Sequence, residues 1–437
     1  MRSLFRMLFC ALVLLLVPGI ATAAETGAET GGPAPASAAA GPAFDPVAAT
    51  EAYLARMSPQ QRARSDAYFE GGYWLQLWGL LYGLGVFALL LGTRLSARLR
   101  DAVQRRIRSW PLQILLYAVG FILLVTLLSF PLSIYTDYVR EHQYGMSNQT
   151  FGAWFGEELT GLAVGMVLGG LSLLGLYTVL RKAPRTWWIW GTVVSVAFLI
   201  IGALIAPVFI APLFNTYTEL REEPLRTSIL SLARANGIPA EHVYVVDASR
   251  QTKRISANVS GLGGTLRISL NDNLLRRTSP AAVEAVMGHE MGHYVLNHIY
   301  ELILEMGVVL FLGFAFLRWS FGKALARWGE RWGVRGVDDP AGLPLFAALF
   351  SLYFFIMTPV TNTIIRSNEA EADIYGINSS RQPDGFAEAA LLLGEYRKMA
   401  PGPLEEWIFF DHPSGRNRIL MAMRWKAENA GKDGEPR

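Results

Sequence analysis

Residues 288–293 read GHEMGH, and an apolar stretch, Ile299–Leu317, begins a few residues later. Side chains four positions apart share a face of an α-helix, so His289 and His293 can bind one metal ion. Glu290 would then lie beside the metal, where a carboxylate can activate a water molecule. The pattern fixes only three positions and also occurs by chance. The apolar stretch places it at the mouth of a membrane-spanning helix.

The composition favours a polytopic membrane protein. Of 437 residues, 52% are hydrophobic and the mean hydropathy is +0.28, which is too apolar for an ordinary soluble enzyme. The net charge of +3 gives no indication of nucleic-acid binding. Cys10 is the only cysteine, so a metal would be held by histidines and carboxylates.

The N-terminus is typical of a secretory signal. Arg2 and Arg6 form a basic start, residues 7–17 are apolar, and small residues follow at 21–23. We interpret residues 1–23 as a signal peptide, or alternatively as a retained signal anchor. A flexible linker is predicted for residues 24–60, and its composition is clearest over 24–44.

Six further apolar stretches are long enough to span a bilayer. They divide the chain into transmembrane helices at 61–214, an α+β metallopeptidase region with the metal helix at 215–298, spans five and six at 299–363, and a C-terminal helical region at 364–437. The predicted spans are Gly72–Gly92, Trp110–Ser133, Leu159–Leu180, Trp187–Phe209, Ile299–Leu317 and Leu343–Val360.

The region between spans four and five has mixed secondary-structure signals. Residues 224–237 predict an amphipathic helix. Three strands are predicted, and the glycine-rich residues 261–264 predict a turn between the last two. Ser279 and Pro280 indicate the start of the helix that carries His289, which we expect to continue into span five. The predicted strands are Val243–Val246, Ala257–Ser260 and Thr265–Leu270.

Basic residues are concentrated in three short loops, which predicts their side of the membrane. Six follow span one, three follow span three and five follow span five, so these loops should be cytoplasmic. The polar regions 25–70, 215–298 and 364–437 would then lie outside, on the periplasmic side of a bacterial inner membrane. The basic residues are Arg94, Arg98, Arg100, Arg105, Arg106, Arg108, Arg181, Lys182, Arg185, Arg318, Lys323, Arg327, Arg331 and Arg335.

A catalytic zinc usually has three protein ligands, and the last polar region contains a candidate for the third. Glu369 and Asp373 lie four residues apart just after span six, on one face if that helix continues. We predict that Glu369 is the third ligand and that Asp373 orients a ligand histidine through its free ring N–H. Alone, this stretch would be interpreted as a solvated acidic helix start.

Further residues can supply the other parts of a peptidase site. His412 could donate a hydrogen bond to the oxyanion, with Arg418 as a further positive partner, although an ordinary turn before a helix is equally consistent. Asn258, on a predicted edge strand, could hold the extended backbone of a substrate, or be a plain hairpin residue. His298 should lie off the ligand face as a membrane-interface residue, and His142 and His242 are given no role.

Several motifs together resemble the type I CaaX prenyl protease family, which are integral-membrane zinc metallopeptidases. The resemblance covers roughly residues 60–425 and implies a ring of helices around a large water-filled chamber, with the zinc site at its rim. That family has seven spans and its eukaryotic members face the cytosol, so the signal-like N-terminus and the predicted sidedness are departures. The motifs are YGMSNQT (144–150), IAPLF (210–214), VYVV (243–246), SAN (256–258), HEMGH (289–293), the pair Glu369 and Asp373, and His412-Pro413.

The expected fold is mainly α: a polytopic helical barrel of six or seven transmembrane helices around a large chamber, with a small α+β zinc-metallopeptidase domain. The expected function is a zinc-dependent endopeptidase with one Zn²⁺ per chain. It would act in the lipid bilayer on membrane-associated, misfolded or lipidated proteins. The alternatives are a protease for prenylated CaaX tails and a non-catalytic scaffold with structural zinc, against which the base Glu290 argues. No nucleic-acid partner is expected, and the sequence leaves the oligomeric state open.

Overall fold

A computed structural model describes residues 44–261 and 266–430, so the predicted signal peptide and most of the linker lie outside the described residues. Six helices are long and apolar enough to cross a membrane, which confirms a multi-pass membrane protein. Each contains a predicted span and extends beyond it at one or both ends. The six are Pro59–Gly92 (α2), Trp110–Gln143 (α4), Phe151–Lys182 (α5), Trp187–Leu213 (α6), His298–Trp332 (α10) and Pro340–Ser380, whose α-helical part is Leu343–Ser380 (α11).

The six spans form a closed ring, as the sequence predicts for a helical barrel. Each span packs against the next along the chain, and span six packs against span one. Buried apolar side chains from the spans form one continuous core that includes Tyr117, Leu180, Phe314 and Phe350. This closure leaves the two ends of the barrel as the places where polar segments can gather.

One end of the barrel holds the basic loops. Nε of Arg94, after span one, donates to the carbonyl of Arg331 at 2.7 Å, and Arg335 pairs with Asp101 at 2.9 Å. Arg100 forms a buried ion pair with Asp339. The loops that follow spans one and five are therefore joined on the same side, with the short helix Leu95–Arg106 (α3) between spans one and two.

The other end carries the sheet and the smaller helices. Four strands lie in the order β1-β2-β4-β3, in which β2 and β4 are parallel and the outer pairs are antiparallel. The second and third strands confirm the prediction, the fourth starts two residues later than expected, and β1 was not predicted. Residues 262–265, within and just after the predicted turn, lie outside the described chain. The strands are Tyr217–Glu219 (β1), Val243–Val246 (β2), Ala257–Ser260 (β3) and Arg267–Asn271 (β4).

Helices surround this sheet at the same end. The amphipathic helix predicted at 224–237 is present as α7. The N-terminal helix α1 contradicts the expectation of a flexible linker up to residue 60, because Tyr53 is buried and its hydroxyl donates to Asp384 at 2.8 Å. The remaining helices are Pro46–Leu54 (α1), Glu223–Ala235 (α7), Asp272–Arg277 (α8), Pro280–Val295 (α9), Pro383–Leu393 (α12), Pro403–Phe409 (α13) and Gly415–Asn429 (α14).

The metal helix α9 does not run into span five, so that prediction is wrong. It begins after Ser279, whose side chain accepts from the amide of Ala282 at 3.2 Å, and it ends at Val295. Asn297 then adopts the left-handed conformation with φ of 61°, and a separate helix begins at His298. Asparagine is one of the few residues other than glycine that visits this conformation routinely, and the resulting break redirects the chain. In contrast, α11 continues unbroken from span six past Glu369 to Ser380, as expected.

Candidate metal centre

Three side chains from two helices meet at the end of the barrel that carries the sheet. His289 and His293 lie one turn apart on α9, and Glu369 comes from α11. Nε2 of His289 is 3.2 Å from Nε2 of His293 and 3.2 Å from Oε2 of Glu369. Nε2 of His293 is 3.4 Å from Oε1 of Glu369. In the described part of the chain, these three residues form a group able to hold a metal ion.

Small residues bring the two helices close enough for this meeting. A Cβ atom on Gly376 of α11 would lie 2.6 Å from the amide nitrogen of His289, and one on Gly288 would lie 2.7 Å from the carbonyl oxygen of Gly376. Real Cβ atoms do not come so near, so α9 and α11 pack here backbone to backbone. The Gly288 that precedes the histidine motif thus sets the distance between the two sets of ligands.

The spacing of the three donors fits a tetrahedral zinc site. Ligands at ~2.0–2.1 Å from a tetrahedral Zn²⁺ lie about 3.3 Å from each other. Nε2 of His289 lies 3.2 Å from Nε2 of His293 and 3.2 Å from Oε2 of Glu369, which matches that value, and Nε2 of His293 lies 3.4 Å from the other oxygen of Glu369. Oε2 of Glu369 is also buried, and it faces Nε2 of His289 at 3.2 Å and Nε2 of His412 at 3.1 Å.

The electrostatics of the cluster call for a positive charge. Burial by itself disfavours the charged imidazolium, yet Asp373 and Glu369 raise the pKa of His289 to about 10. The buried carboxylates therefore hold a cation strongly at this position. A divalent metal between the ligands satisfies the same demand.

Asp373 lies where the sequence analysis expects it, against the ring of a ligand histidine. Its Oδ1 is 2.8 Å from Nδ1 of His289, and only 2% of Asp373 is exposed. Such a contact fixes the orientation of the ring and leaves Nε2 free for the metal.

Arg418 occupies a different place from the one expected. Nε of Arg418 donates to Oδ2 of Asp373 at 2.8 Å, and Nη2 donates to Oδ1 in a second, short hydrogen bond. Both residues are buried. The guanidinium is thus committed to neutralising Asp373, and its contact with the metal centre runs through Asp373 and His289 instead of an oxyanion. Asp373 has no basic residue close to it in the sequence. Because a buried carboxylate needs a positive partner, the sequence could have indicated that a distant arginine pairs with it.

His298 also differs from the expectation that it lies at the membrane interface, away from the ligands. It is buried, and its Nδ1 is 2.9 Å from Nδ1 of His293. Its Nε2 is 3.5 Å from Oε2 of Glu371. The break at Asn297 explains the difference, because the angle counted along one continuous helix no longer applies. His298 therefore does for His293 what Asp373 does for His289.

The carboxylate of Glu290 does not help to hold the described fold together. It has no hydrogen bond or ion pair within residues 44–261 and 266–430. Burial raises its pKa, and the nearby imidazoles of His289 and His293 partly offset that shift. A half-buried carboxylate beside a metal site, with no hydrogen bond to another described residue, can accept and return a proton.

His412 reaches the centre from the loop before α14. Its Nε2 is 3.1 Å from Oε2 of Glu369, and its Nδ1 is 2.8 Å from Oδ1 of Asp411. Although burial opposes ionisation of Asp411, the charges of His412 and Arg397 hold its pKa below the usual range. The contact with Asp411 fixes the orientation of the imidazole ring and leaves Nε2 directed towards Glu369.

The structure also locates Asn258 and the two remaining histidines, His142 and His242. The strand β3 is an edge of the sheet and packs against α9, and Asn258 on it is exposed. His142 and His242 have partners after all, in the carbonyl of Gln149 at 2.8 Å and the carboxylate of Glu219 at 3.2 Å, but both lie outside the ligand cluster. Asn258 remains a prediction.

A closed barrel of membrane-spanning helices, with two histidines and a glutamate gathered at one end beside a free carboxylate, defines an integral-membrane metallopeptidase. The chain belongs to peptidase family M48. Residues 219–426 match the model of this family, and residues 48–216 match the CAAX prenyl protease N-terminal model with five membrane helices. Four of the six spans described above fall in the second match. The chain is therefore a metalloendopeptidase.

Individual relatives agree with this assignment. The metalloprotease YhfN of Bacillus subtilis is 29% identical over 376 residues, which are 86% of this chain and 88% of YhfN. CAAX prenyl protease 1 of Saccharomyces cerevisiae is 31% identical over 313 residues, 68% of this chain and 69% of the yeast protein. The crystal structure of Ste24p from S. mikatae superposes with a TM-score of 0.73 at 25% identity, covering 84% of this chain and 90% of Ste24p.

Proposed function

We propose that the chain is a zinc-dependent endopeptidase that binds one Zn²⁺ through His289, His293 and Glu369. The observation that carries the proposal is that the nitrogen and oxygen donors of these three side chains lie 3.2–3.4 Å apart, with Glu290 on the same helix as the two histidines. A Zn²⁺ held by these residues would supply Lewis-acid chemistry and would lower the pKa of the attacking water towards ~7.

The residues of the chain account for the proton transfers and the charge of the reaction. Glu290 takes a proton from the attacking water and passes it to the nitrogen of the leaving amine. His412, oriented by Asp411, donates through Nε2 to the oxyanion that forms as the carbonyl becomes tetrahedral. Arg418 and Asp373 hold His289 in the correct orientation. Asn258 on the edge strand β3 holds the extended substrate backbone.

The substrates we propose are membrane-associated, misfolded or lipidated proteins. The barrel places the site at the end of six membrane spans, where a segment leaving or entering the bilayer can reach it. The alternative substrate class is prenylated proteins with a CaaX tail. It is favoured by the names of several relatives, the CAAX prenyl proteases of yeast and other eukaryotes.

We further propose that the site faces the periplasm of a bacterial inner membrane. The loops rich in Arg and Lys after spans one and five lie together at the end of the barrel opposite to the metal centre, which supports a cytoplasmic position for those loops. The described chain begins on the side of the metal centre, because α1 packs on α14. A signal peptide would deliver that part of the chain across the membrane.

A substitution of the proposed base tests the mechanism. Glu290→Gln keeps the shape of the side chain but cannot accept a proton, so turnover of a quenched peptide by the full chain in nanodiscs should fall ~10²–10⁴-fold. Zinc content should be unchanged, because Glu290 is not a ligand. The control is Glu241→Gln at an exposed glutamate outside the site. Near-normal turnover by Glu290→Gln would reject the mechanism, and the inactive variant can also be used to capture substrates.

A further inference from the structure

The segment that brings His412 to the metal centre is held by side chains of span six. Nη1 of Arg366 donates to the carbonyl oxygens of Glu406 at 2.9 Å and of Phe410 at 2.6 Å. One turn earlier, Nδ2 of Asn362 donates to the carbonyl oxygen of Ile408 at 2.7 Å. These three carbonyls are those of the last turn of α13 and the residue that follows it.

These hydrogen bonds bind carbonyl oxygens at the C-terminal end of α13. The last carbonyls of a helix mostly lack partners within it and carry partial negative charge, although that of Glu406 also accepts from the amide of Phe410 at 3.1 Å. A cation there both satisfies the carbonyls and interacts well with the helix dipole. The planar guanidinium of Arg366 reaches two carbonyls at once, which a lysine ammonium on its flexible stem does less well. Arg366 is therefore matched to fixing where α13 ends.

The position of that end decides the position of His412. Phe410, whose carbonyl Arg366 binds, is only two residues before His412. Arg366 is also only three residues before Glu369 on the same helix, so one rigid element holds both the ligand and the His412 segment. Span one supports the segment from the other side, where the ring of Phe69 lies 4.7 Å from that of Phe410.

We propose that Arg366 is a positioning residue that fixes the Nε2 of His412 beside Glu369. Its hydrogen bonds go to the carbonyls of Glu406 and Phe410 and to the hydroxyl of Thr363, and it acts by setting the end of α13. The inference rests on the proposed donor role of His412. It predicts that a substitution of Arg366 lowers kcat only when His412 is present.

A double-mutant cycle tests this dependence. In the full chain in nanodiscs, Arg366→Gln should lower kcat by ~10–100-fold, because displacing a reacting group by about 1 Å has an effect of that size. KM for the peptide and zinc content should stay the same, and Arg366→Lys should recover part of the loss. In the His412→Ala background, Arg366→Gln should change kcat by less than about twofold, the result of complete coupling. Arg226→Gln, which removes an ion-paired arginine on α7, serves as the matched control.

The outcomes separate the two ideas. An equal loss of kcat in both backgrounds, or a loss of zinc in Arg366→Gln, would overturn the positioning role. Normal kcat in His412→Ala alone would instead reject the donor role of His412 in the proposed function. If Arg366→Gln fails to fold, as shown by its melting temperature, Asn362→Ala removes only the bond to Ile408 and takes its place. It should give a smaller loss of kcat with the same dependence on His412, and a loss independent of His412 would again overturn the role.

Discussion

Replacing Asp373 by asparagine should weaken metal binding without removing a ligand. The carboxylate lies 2.8 Å from Nδ1 of His289 and is 2% exposed. Asparagine keeps one oxygen that can accept from the ring N–H, but it loses the negative charge and replaces the other oxygen, which accepts from Arg418, by an NH2 donor. A hydrogen bond to a charged group contributes ~1.5–3 kcal/mol and a neutral one ~0.5–1.5 kcal/mol. The difference of about 1–2 kcal/mol corresponds to a metal affinity roughly 5–30-fold lower.

The same substitution should also reduce the stability of the fold, for a separate reason. Arg418 pairs with Asp373 through two hydrogen bonds and is itself buried, so Asp373→Asn leaves a buried cation without its partner. Breaking a buried pair in this way costs ~3–5 kcal/mol. The double variant Asp373→Asn with Arg418→Met removes the unpaired charge, so it should recover most of the stability while its metal affinity stays low.

Two measurements on the full chain in nanodiscs check these effects. Competition with a fluorescent chelator gives the zinc dissociation constant, and thermal unfolding gives the stability of each variant. Asp384→Asn is the control, because this exposed carboxylate also has a basic partner, Lys426, and accepts from the hydroxyl of Tyr53, but lies on α12, away from the metal. Zinc affinity within twofold of the wild type in Asp373→Asn would refute the orienting role. A complete loss of zinc would make Asp373 a ligand.

Three other outcomes are expected. Glu369→Ala should lose zinc while Glu371→Ala keeps it, as measured by metal analysis, and the reverse result would mean that the wrong carboxylate was chosen as ligand. His412→Ala should lower peptide turnover ~10²–10³-fold with little change in zinc content, as for other removed oxyanion donors; loss of zinc would instead indicate a ligand. An alkaline phosphatase fusion after residue 437 should be active and one in the 94–108 loop inactive, whereas the opposite pattern would place the site in the cytoplasm.

The spans were the most predictable part of the fold, since an apolar run of about 20 residues has few other uses. The ends of the helices that contain these spans were less predictable. The helix of span one begins at Pro59 and that of span six continues to Ser380, well beyond their apolar parts. These polar extensions belong to the peptidase end of the barrel, and hydropathy carries no information about them.

The ligand candidates could be found from sequence because spacing along a helix fixes a face. This holds for His289 and His293 on α9 and for Glu369 and Asp373 on α11. The same reasoning failed for His298. Asn297, with a positive φ, separates two helices, so the face on which His298 lies cannot be counted along the helix of His289 and His293.

Arg418 and Arg366 could not be placed from sequence for a different reason. Their partners, Asp373 and the carbonyls at the end of α13, are 45 and 40 or more residues away in the chain. Contacts of that kind depend on how the helices pack, and no local pattern records them. The need for a partner, in contrast, could be inferred wherever a charge was expected to be buried.

The order in which the ligands appear along the chain has a consequence for synthesis. His289 and His293 precede span five, whereas Glu369 lies near the end of the helix of span six. A chain extended only to residue 332 therefore holds two imidazoles but lacks the carboxylate, and His412 is still to be made. The peptidase can be assembled only after the last hairpin has been inserted into the bilayer and its far end has returned to the first side. Until span six has been inserted into the membrane, the growing chain therefore lacks Glu369 and cannot form the proposed metal site.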